Sequence, residues 1–241
     1  MIGHTKEMRG GTLIEAIVTL VLGLLLVQMS LGALARGHTL HQGLLERADA
    51  LKTVRIVRWV LRAELSKGHP GEDWMVHEPD SIVLRAYRGV AFPCLITTGR
   101  LDVTYRGGRD PDPEKDSVLL VYESGETDVK ALERWGPGAS CSWRLGVSPS
   151  GWSAQQWAVE GVLDSGLVAV RLFESGSYHI ADGALRYRRG RGGRQPLTSN
   201  ALSTPESGIR TGGAGLGVSI VMKSQGGGDW TRWVSLARQI R

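Results

Sequence analysis

From Thr12 to Ala35 the only charged side chain is Glu15. Read as a helix, those roughly 24 residues run about 36 Å at 1.5 Å per residue. That is enough to cross the roughly 30 Å hydrocarbon core of a bilayer. A carboxylate inside such a segment costs up to about 3 kcal/mol depending on depth, so Glu15 calls for a partner.

Just before the apolar run stand Lys6, Arg9 and Gly10, followed by Gly11 and then Thr12-Leu13-Ile14-Glu15. This arrangement resembles the processing site of type IV prepilins and type II secretion pseudopilins. The resemblance implies that a membrane peptidase cuts after Gly10, removes residues 1–10 as a leader and methylates the new amino terminus at Gly11. It also implies that Glu15 attracts the terminal amine of a neighbouring subunit during assembly, which gives the acid its partner. The implied partners are the prepilin peptidase and methyltransferase, other pilin or pseudopilin subunits, and an inner-membrane assembly platform. The implied location is a single pass through the bacterial inner membrane, with the carboxy-terminal domain in the periplasm or at the cell exterior. The family usually has phenylalanine directly after the cut, where this chain has Gly11, and that suits a minor member better than a bulk filament subunit. The resemblance covers residues 1–35 of 241. With less specificity, YHIADGALRYRR and the final VSLARQIR are similar to larger minor subunits of J or W type.

The same residues admit two other fates. Ala33-Leu34-Ala35 is a small-x-small pattern after a basic start and an apolar run, as in a secretory signal peptide. An uncleaved membrane anchor is the other. Against the signal peptide, the apolar run exceeds the usual length of roughly 7 to 15 residues, and Glu15 would have no purpose in it.

Beyond Ala35 the helical pattern continues with a different character. Leu44, Ala48, Leu51, Val54, Val57, Leu61 and Leu65 follow three- and four-residue steps, with Glu46, Arg47, Asp49, Lys52, Arg55, Arg58 and Arg62 around them. No proline occurs between Thr12 and Pro70, so one continuous helix is permitted, with Gly37 and Gly43 as its soft points. Lys67, Gly68 as cap and Pro70 form the stop. The expected organisation is a leader over 1–10, a transmembrane and assembly helix over 11–36, its amphipathic continuation over 37–67, and a strand-rich extracytoplasmic domain over 68–241.

Glycine contributes 33 residues, about twice the usual share of roughly 7 per cent. Scattered between short apolar runs, it predicts many turns and many strands. Strands are expected over 81–87, 101–105, 117–122, 141–147, 167–173, 177–181, 184–187, 216–222 and 231–237. Asp182-Gly183 marks a two-residue hairpin between two of them. With no helix-length pattern between most strands, the sheet should be mainly antiparallel, one face covering the Leu44 to Leu65 stripe. Residues 106–116 and 189–215 read as long surface loops. The fold class is therefore α+β: a long amino-terminal transmembrane-plus-amphipathic helix packed on a mainly antiparallel sheet.

The formal net charge of +5 identifies neither nucleic acid nor lipid as a partner. Cys94 and Cys141 are compatible with a single disulfide outside the cytoplasm. Closing that loop contributes about 4 kcal/mol in the chain-entropy model. Two unpaired buried thiols are the alternative.

Signals for chemistry are weak, and no enzyme or cofactor is expected. His38 and His41 lack further ligands at a matching interval, and His69, His77 and His179 have no nameable partner. Gly146-Val147-Ser148-Pro149-Ser150 misses the serine elbow. Residues 212–217 lack the spacing of a dinucleotide cradle. Asp110, Asp112, Glu114 and Asp116 alternate as calcium ligands do, and the resemblance allows for calcium in some members, but Pro111 and Pro113 stiffen this loop. No metal site is assigned. Arg186, Arg188, Arg189, Arg191 and Arg194, with Tyr187 among them, form the one dense basic run. It suits a solvated hairpin edge or an acidic partner subunit. DNA phosphates are the less favoured reading, which the resemblance also permits.

These residues together lead to the expectation of a minor pilin or pseudopilin assembled through its helix. A monomeric, membrane-anchored binding domain that uses the arginine run is the alternative.

Overall fold

The computed structural model describes residues 13–77, 79, 81–138, 151–200, 202–203, 206–212, 215–222 and 230–237. Gly10, Gly11 and Cys141, with the strand expected over 141–147, lie outside them. The architecture is α+β, as expected: one long apolar helix at the amino-terminal end, followed by antiparallel sheets. The chain divides into two compact units, Met1–Asp49 and Ala50–Arg241.

Helix α1 (Leu13–Leu65) has Glu15 in its first turn and Arg62 in its last. In the first unit, residues 13–42 are all exposed. This is the one described helix long and apolar enough to cross a membrane. Its hydroxyls are satisfied internally, Thr19 Oγ1 donating to Glu15 O at 3.0 Å and Ser30 Oγ to Leu26 O at 2.8 Å. A segment facing hydrocarbon needs that arrangement, because lipid offers no replacement partner.

In the second unit the same helix buries Thr53, Val57, Leu61 and Leu65, with Ala50, Val54 and Val60 packed beside them. This corrects the expected stripe: Leu44 and Leu51 are 62% and 48% exposed. The reason is arithmetic. Each step of three falls about 60° short of a full turn. The three consecutive steps 48, 51, 54, 57 therefore carry the apolar line halfway round the helix.

The helix stops as expected, Gly68 N donating to Leu65 O at 3.3 Å. The role of Gly68 differs from a left-handed cap. A Cβ there would lie 2.5 Å from Asp73 Cβ, so the glycine is required by close approach.

Nine strands form the main sheet: β1 (Trp74–His77), β2 (Ser81–Thr97), β3 (Arg100–Gly107), β4 (Asp116–Tyr122), β5 (Thr127–Pro137), β6 (Ser153–Val159), β7 (Leu167–Ala181), β8 (Ala184–Arg189) and β9 (Arg194–Pro196). Every pairing is antiparallel. β10 (Gly208–Gly212), β11 (Gly215–Met222) and β12 (Trp230–Ala237) form a second, smaller sheet.

The long strands β2 and β7 each serve two cores. Their Ser81–Tyr87 and Phe173–His179 halves pair with each other and, with β1 and β8, build a surface against the helix. There Leu61 and Leu65 share a core with Ile82, Leu84, Tyr178, Ile180 and Leu185, and with Ile209, Val218 and Ile220 of the smaller sheet. The other halves enter a ladder that closes on itself, β2-β3-β6-β5-β4-β7 and back to β2. Its interior holds Leu101, Val103, Tyr105, Leu120, Trp157, Val170 and Leu172. One sheet face covering the helix was expected. Closure gives a second core, in which Trp157 is fully buried and its indole N–H donates to Gln155 Oε1 at 2.8 Å.

The hairpin at Asp182-Gly183 forms as expected, both residues having positive φ, 49° and 76°, the geometry that matches strand twist. The strands expected over 167–173 and 177–181 are one strand. The loop expected over 189–215 contains β9 and β10 and buries Leu202, Ser203 and Ser207.

Candidate functional site

The side chains that hold the helix end to the domain are charged. Arg88, on the inward face of β2, donates from Nη1 to Glu64 Oε1 of α1 at 2.9 Å and from Nη2 to Glu174 Oε1 of β7 at 2.7 Å. Glu174 also accepts from Tyr187 Oη of β8 at 2.8 Å and from Arg109 Nη2 at 3.2 Å. Arg109 in turn grips the buried Asp116 with two bonds of 2.6 Å. The chain Glu64–Arg88–Glu174–Arg109–Asp116 thus joins α1, β2, β7, the β3–β4 connection and β4.

Burial alone would raise the Glu174 carboxyl. The hydrogen bonds from Arg88 and Tyr187 outweigh it and hold the group below its ordinary value. Arg88 is likewise desolvated, yet its two carboxylates push it upward. Burial, then the bond to Glu174, pushes the Tyr187 phenol up as well.

A second cluster holds the same helix end from the outer face of β2 and β7. Tyr87 Oη donates to Asp73 Oδ1 at 2.5 Å, and the Arg171 guanidinium lies 3.4 Å from the Tyr87 ring centroid. Arg171 Nη2 donates to Lys67 O, and Lys67 Nζ to Tyr87 O at 3.3 Å. Burial, then the Asp73 bond, pushes the Tyr87 phenol up to about 12. Together these contacts fix the helix end against the outer face of the sheet.

The residues singled out in the sequence are dispersed. Glu15 is exposed in the first turn of α1. The arginine run is divided by the strand period: Arg186 and Arg188 lie on one face of β8, and Arg189 on the other. Arg186 Nε donates to Ala181 O at 3.0 Å, and Arg188 Nε is buried without a hydrogen-bond partner among the described residues. Arg191 and Arg194 are exposed beyond the strand. Arg189 borders a cavity of about 330 Å³ with Arg109, Lys115 and Trp135.

In the acidic loop, Asp116 faces Arg109 and Asp112 pairs with Lys115, so these carboxylates already neutralise cations. Among the described residues no group of three His, Cys, Asp or Glu converges as metal ligands. His38 is bonded to Gln42 at 2.9 Å. Cys94 lies in β2, while Cys141, its expected partner, is outside the described residues.

Sequence reasoning missed Glu64, Arg88, Arg109 and Glu174. The signal that was available is Glu64 itself, on the apolar side of the helix between Leu61 and Leu65, where a carboxylate needs a cation. The layout is pilin-like: a long apolar amino-terminal helix followed by an antiparallel sheet domain. Comparison with family models, with curated proteins and with solved structures gives no match.

Proposed function

We propose that this chain is a minor pilin or pseudopilin, a structural subunit of a type IV pilus or type II secretion filament. The observation that carries the reading is α1. It is apolar and exposed over residues 13–35, carries one acid in its first turn, and is clamped to a strand-rich domain by its last four turns. Such a helix has two environments, and exchanging lipid for neighbouring helices would satisfy the first. The leader residues Lys6, Arg9 and Gly10 support cleavage to a mature amino terminus at Gly11 by the prepilin peptidase. Glu15 then pairs with the terminal amine of an adjacent subunit, where the low dielectric strengthens the attraction and makes register specific. The membrane anchors the subunit before assembly, with the domain outside the cytoplasm, and the chain performs no reaction of its own.

The test is the mass of the mature amino terminus in the native host, followed by Glu15→Val. A chain starting at methylated Gly11, whose Glu15→Val form stays in the membrane but leaves the filament, supports the reading. A chain starting at Arg36, or filaments indifferent to Glu15, removes it. The rival, a monomeric anchored domain binding through its arginine run, predicts full ligand binding in Glu15→Val. Arg189 lies on the other face of β8 from Arg186 and Arg188, while Arg194 pairs with Arg188, so the rival would draw on Arg186, Arg188 and Arg194 together.

A further inference from the structure

The last turns of α1 carry a surface that the domain does not use. Opposite the buried Val57 and Leu61 stand Arg55, Arg58, Trp59 and Arg62, which with Ala63 and Ser66 border a groove of about 510 Å³. Lys52 extends the same face. The only acid within residues 50–66 is Glu64, and it is turned inward to Arg88. None of the four cations has an ion pair among the described residues, and Trp59 is 74% exposed. A large aromatic left in water among unpaired arginines is the composition of an interface centre.

The complementary surface is on the same molecule. At the end of the closed ladder where β4 turns into β5 and β6 into β7, the connections carry Glu123, Glu126, Glu160 and Asp164, and the start of β5 carries Asp128, all exposed. The two connections are joined by Glu123 N donating to Gly166 O at 2.9 Å, and Glu160 N donates to Ala131 O of β5 at 3.2 Å. Only Asp128 is ion-paired among the described residues, with Lys130 at 3.1 Å. Between Glu160 and Asp164 the chain projects Val162, 80% exposed, while the next residue, Leu163, packs on the ladder core. This surface is therefore an apolar knob flanked by carboxylates, and the helix face is a groove in which three arginines surround Trp59 and Ala63.

We infer that the 160–166 connection of a second copy of this chain docks on the Arg55–Arg58–Trp59–Arg62 face, Val162 against Trp59 and its flanking carboxylates on the arginines. The two surfaces differ, so the contact is heterologous and joins one copy to the next without closing into a symmetric dimer. The inference rests on the assembly reading above and gives it a second contact, made by the domains.

The experiment uses the full chain in its native membrane, co-expressed as two differently tagged copies with Trp59→benzoylphenylalanine in one. After irradiation the cross-linked peptide is sequenced. The expected adduct joins position 59 of one copy to residues 160–166 of the other. Arg58→Glu with Arg62→Glu lowers its yield about tenfold, as does Glu160→Lys with Asp164→Lys, and combining the two reversals restores it. Unchanged melting of each variant confirms that the fold survives. An adduct to another segment or another protein, no adduct, or a yield indifferent to the reversals overturns the docking. The two ideas fall separately. Filament loss in Glu15→Val without the 59-to-160s adduct removes the docking and keeps assembly through the helix. The adduct in a chain whose amino terminus is not Gly11 supports the docking and removes the prepilin reading.

Discussion

Arg88 and Glu174 face each other across the β2–β7 pairing at 2.7 Å, on the sheet side that meets the helix, and Arg88 uses its other terminal nitrogen for Glu64. Two carboxylates from different elements therefore share one guanidinium, which makes the seating of the helix end depend on that residue. Arg88→Met leaves both acids without this partner, and removing one member of a buried pair costs about 3–5 kcal/mol. Thermal melting of the full chain should show that loss. Arg191→Met, at an exposed turn, should stay within about 0.5 kcal/mol.

The pH dependence follows from the same groups. Glu174 is held below its ordinary value of 4.5, its burial being outweighed by Arg88 and Tyr187. Asp73 is held below 3.8, its burial being outweighed by the Tyr87 and His69 hydrogen bonds. Folded values below unfolded ones mean that the carboxylates stabilise the fold at neutral pH. That contribution declines as pH falls through the ordinary values and is gone below the folded ones. Denaturant midpoints measured from pH 7 downward should fall in that window. Glu174→Gln should flatten the Glu174 part of the decline.

The corrected helix stripe makes a paired prediction. Leu61→Ala removes a fully buried side chain and should cost about 2–5 kcal/mol. Leu51→Ala, at a half-exposed position beside the buried arc, should cost markedly less, about 0.5 kcal/mol. Equal losses in chemical denaturation would mean that the stripe had been misplaced.

Gly68→Ala tests the close approach at the helix stop. Its Cβ would meet Asp73, whose carboxylate accepts from His69 N at 2.9 Å and from Tyr87. Displacing that hub should cost about 1–3 kcal/mol. A melting temperature equal to that of the parent would show that Asp73 gives way freely.

The disulfide expected from the sequence has its own check. Non-reducing peptide mapping of protein from the native host should join the Cys94 and Cys141 peptides, and reduction should lower stability by about 4 kcal/mol in the chain-entropy model. Both thiols alkylating without reductant would remove the bond.

What the sequence by itself determined is what depends on neighbours along the chain. The unbroken apolar segment with Glu15 near its start, the stop at Lys67 and Gly68, and the Asp182-Gly183 hairpin follow from local periodicity and backbone preference, and the structure contains each of them. The prepilin-like motif at Gly10 and Gly11 is equally local, but it lies outside the described residues. Tertiary structure decided the rest. β5 carries Asp128, Lys130, Glu133 and Arg134 and buries only Leu132, so no hydrophobic alternation announces it. It is a strand because β4 and β6 supply its hydrogen bonds when the ladder closes. Leu44 and Leu61 look alike in sequence, and only the docked sheet determines which side of the helix leaves water. Arg88, Arg109 and Glu174 are separated by tens of residues and become one network only when β2, β7 and the β3–β4 connection meet. Burial and charge pairing between distant residues are properties of the packed molecule, and a one-dimensional pattern carries them only where the pairing is local.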